Sequence, residues 1–302
     1  MRARRACLAV PGSEQRFHAK AEEIAADEIV FDLEDGVAPG AKLAARDAVV
    51  KALRDHAYTG KTKVVRVNAI DSEWYADDLV AIVGEAGDRV DCLMIPKAEF
   101  VEEIRGIDDA LTQLERKHNL ERRIGLELQI ESARGMDRVS EIAAASARTD
   151  TLVLGPGDLA ASLRMPELTI GGMSDYPGDL WHFFLARIVV AARAYGLQPI
   201  DGPYGDVKDA NGLRESARRS AKLGCDGKWA IHPSQVEVIN KAFTPAQADV
   251  DRAAAILDAY ARAAERRTGA VLLGSEMIDE ASRKMAEVVM ERAALFGLTP
   301  RA

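Results

Sequence analysis

Apolar residues along the chain gather in short runs, several rich in Val and Ile, separated by longer stretches in which they recur every three or four positions. The runs mark strands buried on both faces, and the longer stretches mark amphipathic helices. Strands are predicted at 7–10, 28–32, 63–67, 91–95, 125–130, 151–154, 198–200 and 227–231. Helices are predicted between them at 17–26, 41–55, 77–84, 100–118, 135–146, 179–195 and 210–223, with 233–242 closing the series. Eight strands each followed by a helix predict an α/β fold, the (β/α)8 TIM barrel, whose functional groups gather at the carboxyl ends of the strands. Two stretches exceed a minimal barrel. Residues 163–178 form a Gly- and Pro-punctuated insert where a loop would overhang the mouth, a plausible place for a substrate lid. The tail reads as a helix over 246–267, a break at Thr268-Gly269, an apolar run over 271–273 and a helix over 279–295. The division is therefore a catalytic barrel over 1–245 and a C-terminal helical lid extension over 246–302. Neither an internal repeat nor a low-complexity tract is visible.

Composition narrows the class of partner. With 40 Lys and Arg against 48 Asp and Glu, the 302-residue chain carries a net charge of −8, which speaks against a nucleic-acid partner. The densest basic cluster, Arg116-Lys117-His118 with Arg122-Arg123, has no interleaved aromatics and reads as a solvated connector. Cys7, Cys92 and Cys225 are odd in number and far apart, so neither a disulfide framework nor a CxxC metal site is indicated. That usage fits a reducing cytoplasm. The basic start, followed by apolar residues only as far as Pro11-Gly12, falls short of a signal peptide, and no segment reaches membrane-span length.

The strand ends carry the chemistry. Strand two ends in Asp32-Leu-Glu34-Asp35-Gly36, strand three in Arg66-Val-Asn68, strand four in Pro96-Lys97, strand five in Glu131-Ser132 and strand six in Gly155-Pro-Gly157-Asp158. So many acids in one mouth need a compensating cation, and a hard divalent ion is the simplest. Glu131 and Asp158 follow adjacent strands and make the best ligand pair for Mg2+, which needs only one or two protein carboxylates. The bland alternative is that Asp158 caps the next helix and Glu131 pairs with Arg134. Arg66 offers a planar fork for a carboxylate or a developing oxyanion, or else a bridge to the strand-two acids. Lys97 is a candidate Schiff-base amine, opposed by the surrounding acids, which would keep it protonated. Gly157 and Asp158 offer free N–H groups for an anionic substrate if Gly155–Asp158 is more than a turn. His232 reads as a packed or capping histidine, and Trp181-His182-Phe183-Phe184 as a core face of a helix.

Several separated motifs coincide with one family. Asp32-Leu-Glu-Asp-Gly-Val, Arg66-Val-Asn, Met94-Ile-Pro-Lys, Ile130-Glu-Ser-Ala-Arg-Gly, Gly157-Asp-Leu-Ala and Ala230-Ile-His-Pro-Ser-Gln resemble the HpcH/HpaI aldolase and citrate lyase β-subunit group of CoA-ester lyases, nearly end to end. Within that group, Asp179-Leu-Trp-His, Ala191-Ala-Arg-Ala-Tyr-Gly, Asp201-Gly-Pro-Tyr-Gly-Asp and Gly227-Lys-Trp-Ala look most like the L-malyl-CoA/β-methylmalyl-CoA lyases. The resemblance implies a Mg2+-dependent Claisen-type lyase, with Mn2+ as an alternative ion, that reversibly cleaves a β-hydroxyacyl-CoA thioester to a short acyl-CoA and glyoxylate. It implies that Glu131 and Asp158 bind the metal and that Arg66 stabilises the oxyanion. Glu34 and Asp35 match the family's acidic motif that orients Arg66 and the metal waters. Gly157 falls beside the substrate. Gly274-Ser-Glu-Met-Ile-Asp279 resembles the family's lid motif, whose aspartate is the acid/base given to a neighbouring subunit in a homotrimer or homohexamer. From the residues alone Asp279 is a helix N-cap. Arg16 and Lys20 stand for the family's CoA phosphate contacts, although one extra residue separates Phe17 from the lysine here. The insert at 163–178 is shorter than in the malyl-CoA lyases, which bears on acyl preference.

Three other functions compete with this reading. A citramalyl-CoA lyase would take pyruvate in place of glyoxylate, a difference of about 1–3 kcal/mol that no motif decides. A malyl-CoA thioesterase would use Asp279 to activate water. A non-catalytic CoA-binding subunit is opposed by the retention of Glu131, Asp158, Arg66 and Asp279.

Overall fold

A computed structural model describes residues 2–172, 176, 178–266 and 268–301. Eight parallel strands close into a barrel in sequence order: β1 (Ala6–Pro11), β2 (Glu28–Asp32), β3 (Thr62–Arg66), β4 (Cys92–Ile95), β5 (Gly125–Ile130), β6 (Thr149–Leu154), β7 (Gln198–Asp201) and β8 (Gly227–Ala230). Closure is made by β1 and β8, with Cys7 opposite Trp229 and Leu8 opposite Ala230. The predicted strands are all present, displaced by at most two residues at their ends.

Period-two alternation decides what each strand face meets. On β2, Ile29 and Phe31, followed by Leu33, join the large apolar core, while Val30 belongs to a second cluster with Cys7, Val64, Cys92, Met94, Val153, Ile200 and Trp229. That second cluster draws on every strand except β5 and fills the barrel's interior. Strand β5 instead points Glu127 and Gln129 inward, with Leu126, Leu128 and Ile130 facing the core outside.

The foot of the barrel is sealed by charge. Arg4, just before β1, donates from Nε to Glu28 at 2.7 Å, from Nη2 to Glu127 at 2.7 Å and from Nη1 to Gln198 at 2.8 Å. The Arg4 and Glu28 side chains are each 1% exposed, and that of Glu127 is 0% exposed. Burial, and then Glu28, push the Glu127 carboxyl up to about 8 despite Arg4.

Around the strands run α1 (Gln15–Glu23), α2 (Lys42–Asp55), α3 (Tyr75–Ala86), α4 (Val101–Lys117), α5 (Ala133–Asp137), α6 (Val139–Ala143), α7 (Pro156–Ser162), α8 (His182–Ala194), α9 (Ala210–Leu223) and α10 (Pro233–Phe243). The single helix predicted over 135–146 is two short ones broken at Arg138, and α7 was not foreseen. Seven residues are too few to display a helical period. The predicted aromatic core face at 181–184 is corrected. Trp181 is buried, but Phe183 is 59% exposed and Phe184 is only half-buried against the core. The predicted insert at 163–178 lies partly outside the described residues, at 173–175 and 177.

The chain divides into two compact units, Ala3–Phe243 and Thr244–Ala302. The second holds α11 (Gln247–Glu265), a hairpin of β9 (Val271–Leu273) and β10 (Glu276–Ile278), and α12 (Glu280–Leu295), with the two helices packed on each other. Three residues were too short a run to predict β10. Among the described residues, no helix is long and apolar enough to cross a membrane. Cys7, Cys92 and Cys225 are buried thiols that form no disulfide among the described residues.

Candidate active site at the barrel mouth

Asp32 and Arg66 end neighbouring strands in register, so their side chains meet at the top of the barrel interior. The guanidinium grips Asp32 with a two-pronged pair, Nε to Oδ1 and Nη2 to Oδ2, each at 2.8 Å. Its remaining Nη1 lies 3.0 Å from Glu34 Oε2, and its plane sits over the Trp229 ring, 5.3 Å from the centroid. Asp32 also accepts from the backbone N–H groups of Glu34 and Gly36, both at 2.9 Å. Burial opposes ionisation of Asp32, but Arg66 and these two N–H groups outweigh it and hold the carboxyl below its usual range. Burial likewise opposes the charge on Arg66, yet Asp32 and Glu34 raise its pKa further, so the cation is permanent. The bridge to the strand-two acids, one of the two readings of Arg66, is therefore present.

Glu131 follows Gln129 on the inward face of β5 and is 3% exposed. Its Oε1 accepts the backbone N–H of Lys97 at 2.7 Å. Burial pushes the Glu131 carboxyl up to about 8; Arg66 and the Lys97 N–H pull it down, while Asp158 and Glu34 push it further up. The pairing with Arg134 does not form, because Arg134 reaches Glu99 instead. Gly155 leaves room for Glu131: a Cβ there would sit 2.3 Å from Glu131 Oε2, so no larger residue fits without moving the carboxylate.

Asp158 lies in the first turn of α7, but Gly155 is the N-cap and no side chain caps this helix, so the capping reading of Asp158 does not hold. Its Oδ2 is buried with no hydrogen-bond partner, 3.7 Å from Lys97 Nζ. An ionised carboxylate oxygen stripped of water and unbonded is costly, and a cation in the mouth would satisfy it. Glu131 and Asp158 thus fit the donor set of Mg2+, which takes one or two carboxylates and fills its remaining positions with water or substrate oxygen. Among the described residues, no group of three or more His, Cys, Asp or Glu side chains is arranged to hold a metal alone.

Glu34 accepts from Lys97 Nζ at 2.7 Å as well as from Arg66. Asp35 donates its N–H to Glu34 at 2.9 Å; desolvation and then the Glu34 charge push its carboxyl up to about 6. Lys97 remains an ammonium, because burial is outweighed by Glu34, Asp35 and Asp158, which speaks against a Schiff-base role. Gly157 shares the first turn of α7 with Asp158, where backbone N–H groups lack intrahelical acceptors. Arg16 and Lys20 are one turn apart on α1 and exposed, Arg16 stacking on Phe17 and reaching Glu14. His232 is exposed and its Nδ1 meets Ser234 Oγ at 2.8 Å at the start of α10, a capping role. In the second unit, Asp279 caps α12, its Oδ1 accepting from Ala281 N at 2.9 Å and Ser282 N at 3.0 Å. The Ser282 N–H, first among these bonds, lowers its pKa, so the carboxyl is in its basic form.

The sequence reading missed Gln129, the room that Gly155 leaves for Glu131, the stacking of Trp229 on Arg66 and the backbone of Lys97. Gln129 was accessible, since it stands two residues before Glu131 and must share its face. The other three depend on the approach of separate strands and leave no local signal.

Residues 5–233 match the family model HpcH/HpaI aldolase/citrate lyase, and residues 189–298 match that of the C–C bond lyases of the TIM-barrel fold. The chain belongs to the HpcH/HpaI aldolase/citrate lyase family. Within this family it is 40% identical over 296 residues to an L-malyl-CoA/β-methylmalyl-CoA lyase of Cereibacter sphaeroides, covering 95% of this chain and 93% of that protein. It is 33% identical over 305 residues to a malyl-CoA/β-methylmalyl-CoA/citramalyl-CoA lyase of Chloroflexus aurantiacus, covering 95% and 86%. Among solved members, CitE of Mycobacterium tuberculosis, in complex with magnesium, acetoacetate and coenzyme A, superposes with a TM-score of 0.74 at 31% identity, over 97% of this chain and 98% of that one.

Proposed function

We propose that this chain is a Mg2+-dependent carbon–carbon lyase that reversibly splits L-malyl-CoA or β-methylmalyl-CoA into acetyl-CoA or propionyl-CoA and glyoxylate. The observation that carries the reading is the buried Oδ2 of Asp158, which has no hydrogen bond, near the desolvated Glu131 at the end of the barrel where Arg66 is fixed. Relatives named for the same reaction support the choice of substrate. Mg2+, or Mn2+ in its place, would be held by Glu131 and Asp158 and would supply Lewis acidity toward the oxygens of the keto acid.

The protein's own groups do the rest. In the condensation direction, the Asp279 carboxylate takes a proton from the carbon next to the thioester carbonyl. The electron pair released there forms the bond to the aldehyde carbon, and the aldehyde's π electrons move to its oxygen. Arg66, held rigid by Asp32 and Glu34, meets the negative charge that develops on that oxygen. That oxygen then takes a proton from solvent and Asp279 releases its own to water; cleavage reverses these steps, the hydroxyl losing its proton as the carbon–carbon bond breaks and Asp279 giving a proton to the carbon next to the thioester. Gly157 offers its N–H to the glyoxylate carboxylate, Asp35 accepts from water in the mouth, and Arg16 and Lys20 serve the CoA phosphates.

The lid carrying Asp279 is supplied by a neighbouring subunit of a homotrimer or homohexamer. Two inactive variants, Asp158→Ala and Asp279→Asn, test the sharing. Mixed and re-associated, they should recover activity, because some sites would combine an intact mouth with an intact lid. No recovery in verified mixed oligomers would place both residues in one chain's site. Asp279→Asn alone should bind acetyl-CoA yet stop exchange of its methyl protons with solvent, and continued exchange would name a different base.

A further inference from the structure

The mouth carries more negative than positive charge. Asp32, Glu34, Asp35, Glu131 and Asp158 stand around Arg66 and Lys97, with a third cation, Lys42, tied to the backbone carbonyls of Leu33 and Glu34. Arg66 is committed, since its side chain is 7% exposed and forked onto Asp32. Lys97 differs in every respect. Its side chain is 43% exposed, its Nζ reaches Glu34 at 2.7 Å, and the same nitrogen lies 3.7 Å from Asp158 Oδ2, the oxygen without a hydrogen-bond partner. Its backbone is equally unusual, with a φ of 51° that a residue with a side chain rarely adopts, and in that conformation its N–H points at Glu131 Oε1. One residue thus touches or approaches both carboxylates assigned to the metal, one through its main chain and the other through its ammonium.

We propose that Lys97 is a positioning residue that holds the place of the metal: its backbone aims Glu131, and its ammonium keeps Asp158 and Glu34 poised until the incoming ion displaces it from Asp158. This rests on the metal reading above and adds a sign to it. An ammonium beside a ligand repels the ion, so the resident lysine weakens metal affinity as the cost of keeping the carboxylates arranged when no metal is present. The long, half-exposed stem allows the head to withdraw toward Glu34 and solvent without moving the backbone that holds Glu131.

The test is Mn2+ binding to the full-length protein, followed by electron paramagnetic resonance, for wild type, Lys97→Met, Lys97→Arg, Lys97→Gly and Asp158→Ala. Lys97→Met retains the main chain and loses the charge, and should bind Mn2+ about tenfold more tightly. Lys97→Arg should return to wild-type affinity. Lys97→Gly frees the backbone as well as removing the charge, and should bind more weakly than Lys97→Met. A merely structural lysine predicts the opposite sign, so weaker or unchanged binding in Lys97→Met overturns the proposal. Equal affinity of the Gly and Met variants overturns the role of the backbone. If wild type binds no better than Asp158→Ala, the metal assignment itself fails and this inference falls with it.

Discussion

The two ends of the barrel are built by the same strands from the same kinds of side chain. On β2, Glu28 faces the foot and Asp32 the mouth; on β5, Glu127 faces the foot, and Glu131, just past its end, the mouth; an arginine stands at each end, Arg4 below and Arg66 above. Between them lies the apolar layer of Val30, Val64, Met94, Val153, Ile200 and Trp229. The carboxyls of Glu127 and Glu131 are both pushed up to about 8, chiefly by burial. The ends differ in access. At the foot, Arg4, Glu28 and Glu127 are sealed, whereas at the mouth the side chains of Lys97 and Asp158 are 43% and 42% exposed. An acidic cluster becomes a candidate metal site only when a hydrated ion can reach it, so perturbed carboxylates alone would not have told one end from the other.

That contrast can be broken from either side. Asp158→Ala should have the largest effect, a loss of at least about 10³-fold in metal-dependent turnover with the fold retained by circular dichroism, since it removes an oxygen donor from the open end. Arg4→Met should do the reverse. It leaves Glu28 and Glu127 buried without their cation, so unfolding free energy should drop by about 3–5 kcal/mol in denaturant titrations while kcat per folded molecule changes little. A large kcat defect in Arg4→Met would show that the two ends are coupled through the interior layer. Gly155→Ala should cost on the order of 10²-fold in kcat/KM, because the added methyl must displace Glu131.

The most gradual effect, spread over several pH units, belongs to Glu127, and its sign follows from its raised pKa. A carboxyl that ionises near 4.3 when unfolded and at about 8 when folded stabilises the fold fully at low pH. That contribution is lost as pH rises through about 8. The loss amounts to at most about 1.4 kcal/mol per pH unit over that window. Glu127→Gln, neutral throughout, should flatten this decline in chemical denaturation between pH 5 and 8. An unchanged slope would mean that Arg4 keeps Glu127 ionised.

Much of this was readable from the chain because buried parallel strands announce themselves as apolar runs and their ends as a switch to charge. That located every strand and brought Asp32, Glu34, Arg66, Lys97, Glu131 and Asp158 to one rim. What it left open was which neighbour each group chose. Arg66 could have bridged the strand-two acids or stood free, and register between β2 and β3 decided for Asp32. Asp158 could have capped a helix, but Gly155 occupies that position. The foot was not recognised as a charged layer at all. Arg4 sits in a basic start that reads only as the flank of an apolar run too short for a signal peptide, and Glu28 and Glu127 show their pairing only after the strands close around them.

The central claim is a metal-dependent carbon–carbon lyase at the open end. Its most direct test is mass-spectrometric analysis of products from the purified protein with glyoxylate, Mg2+ and either acetyl-CoA or propionyl-CoA, beside an EDTA-treated control. The account predicts malyl-CoA or β-methylmalyl-CoA only when the metal is present. Equal product under EDTA, free CoA with free malate, or no product from either acyl-CoA would contradict it.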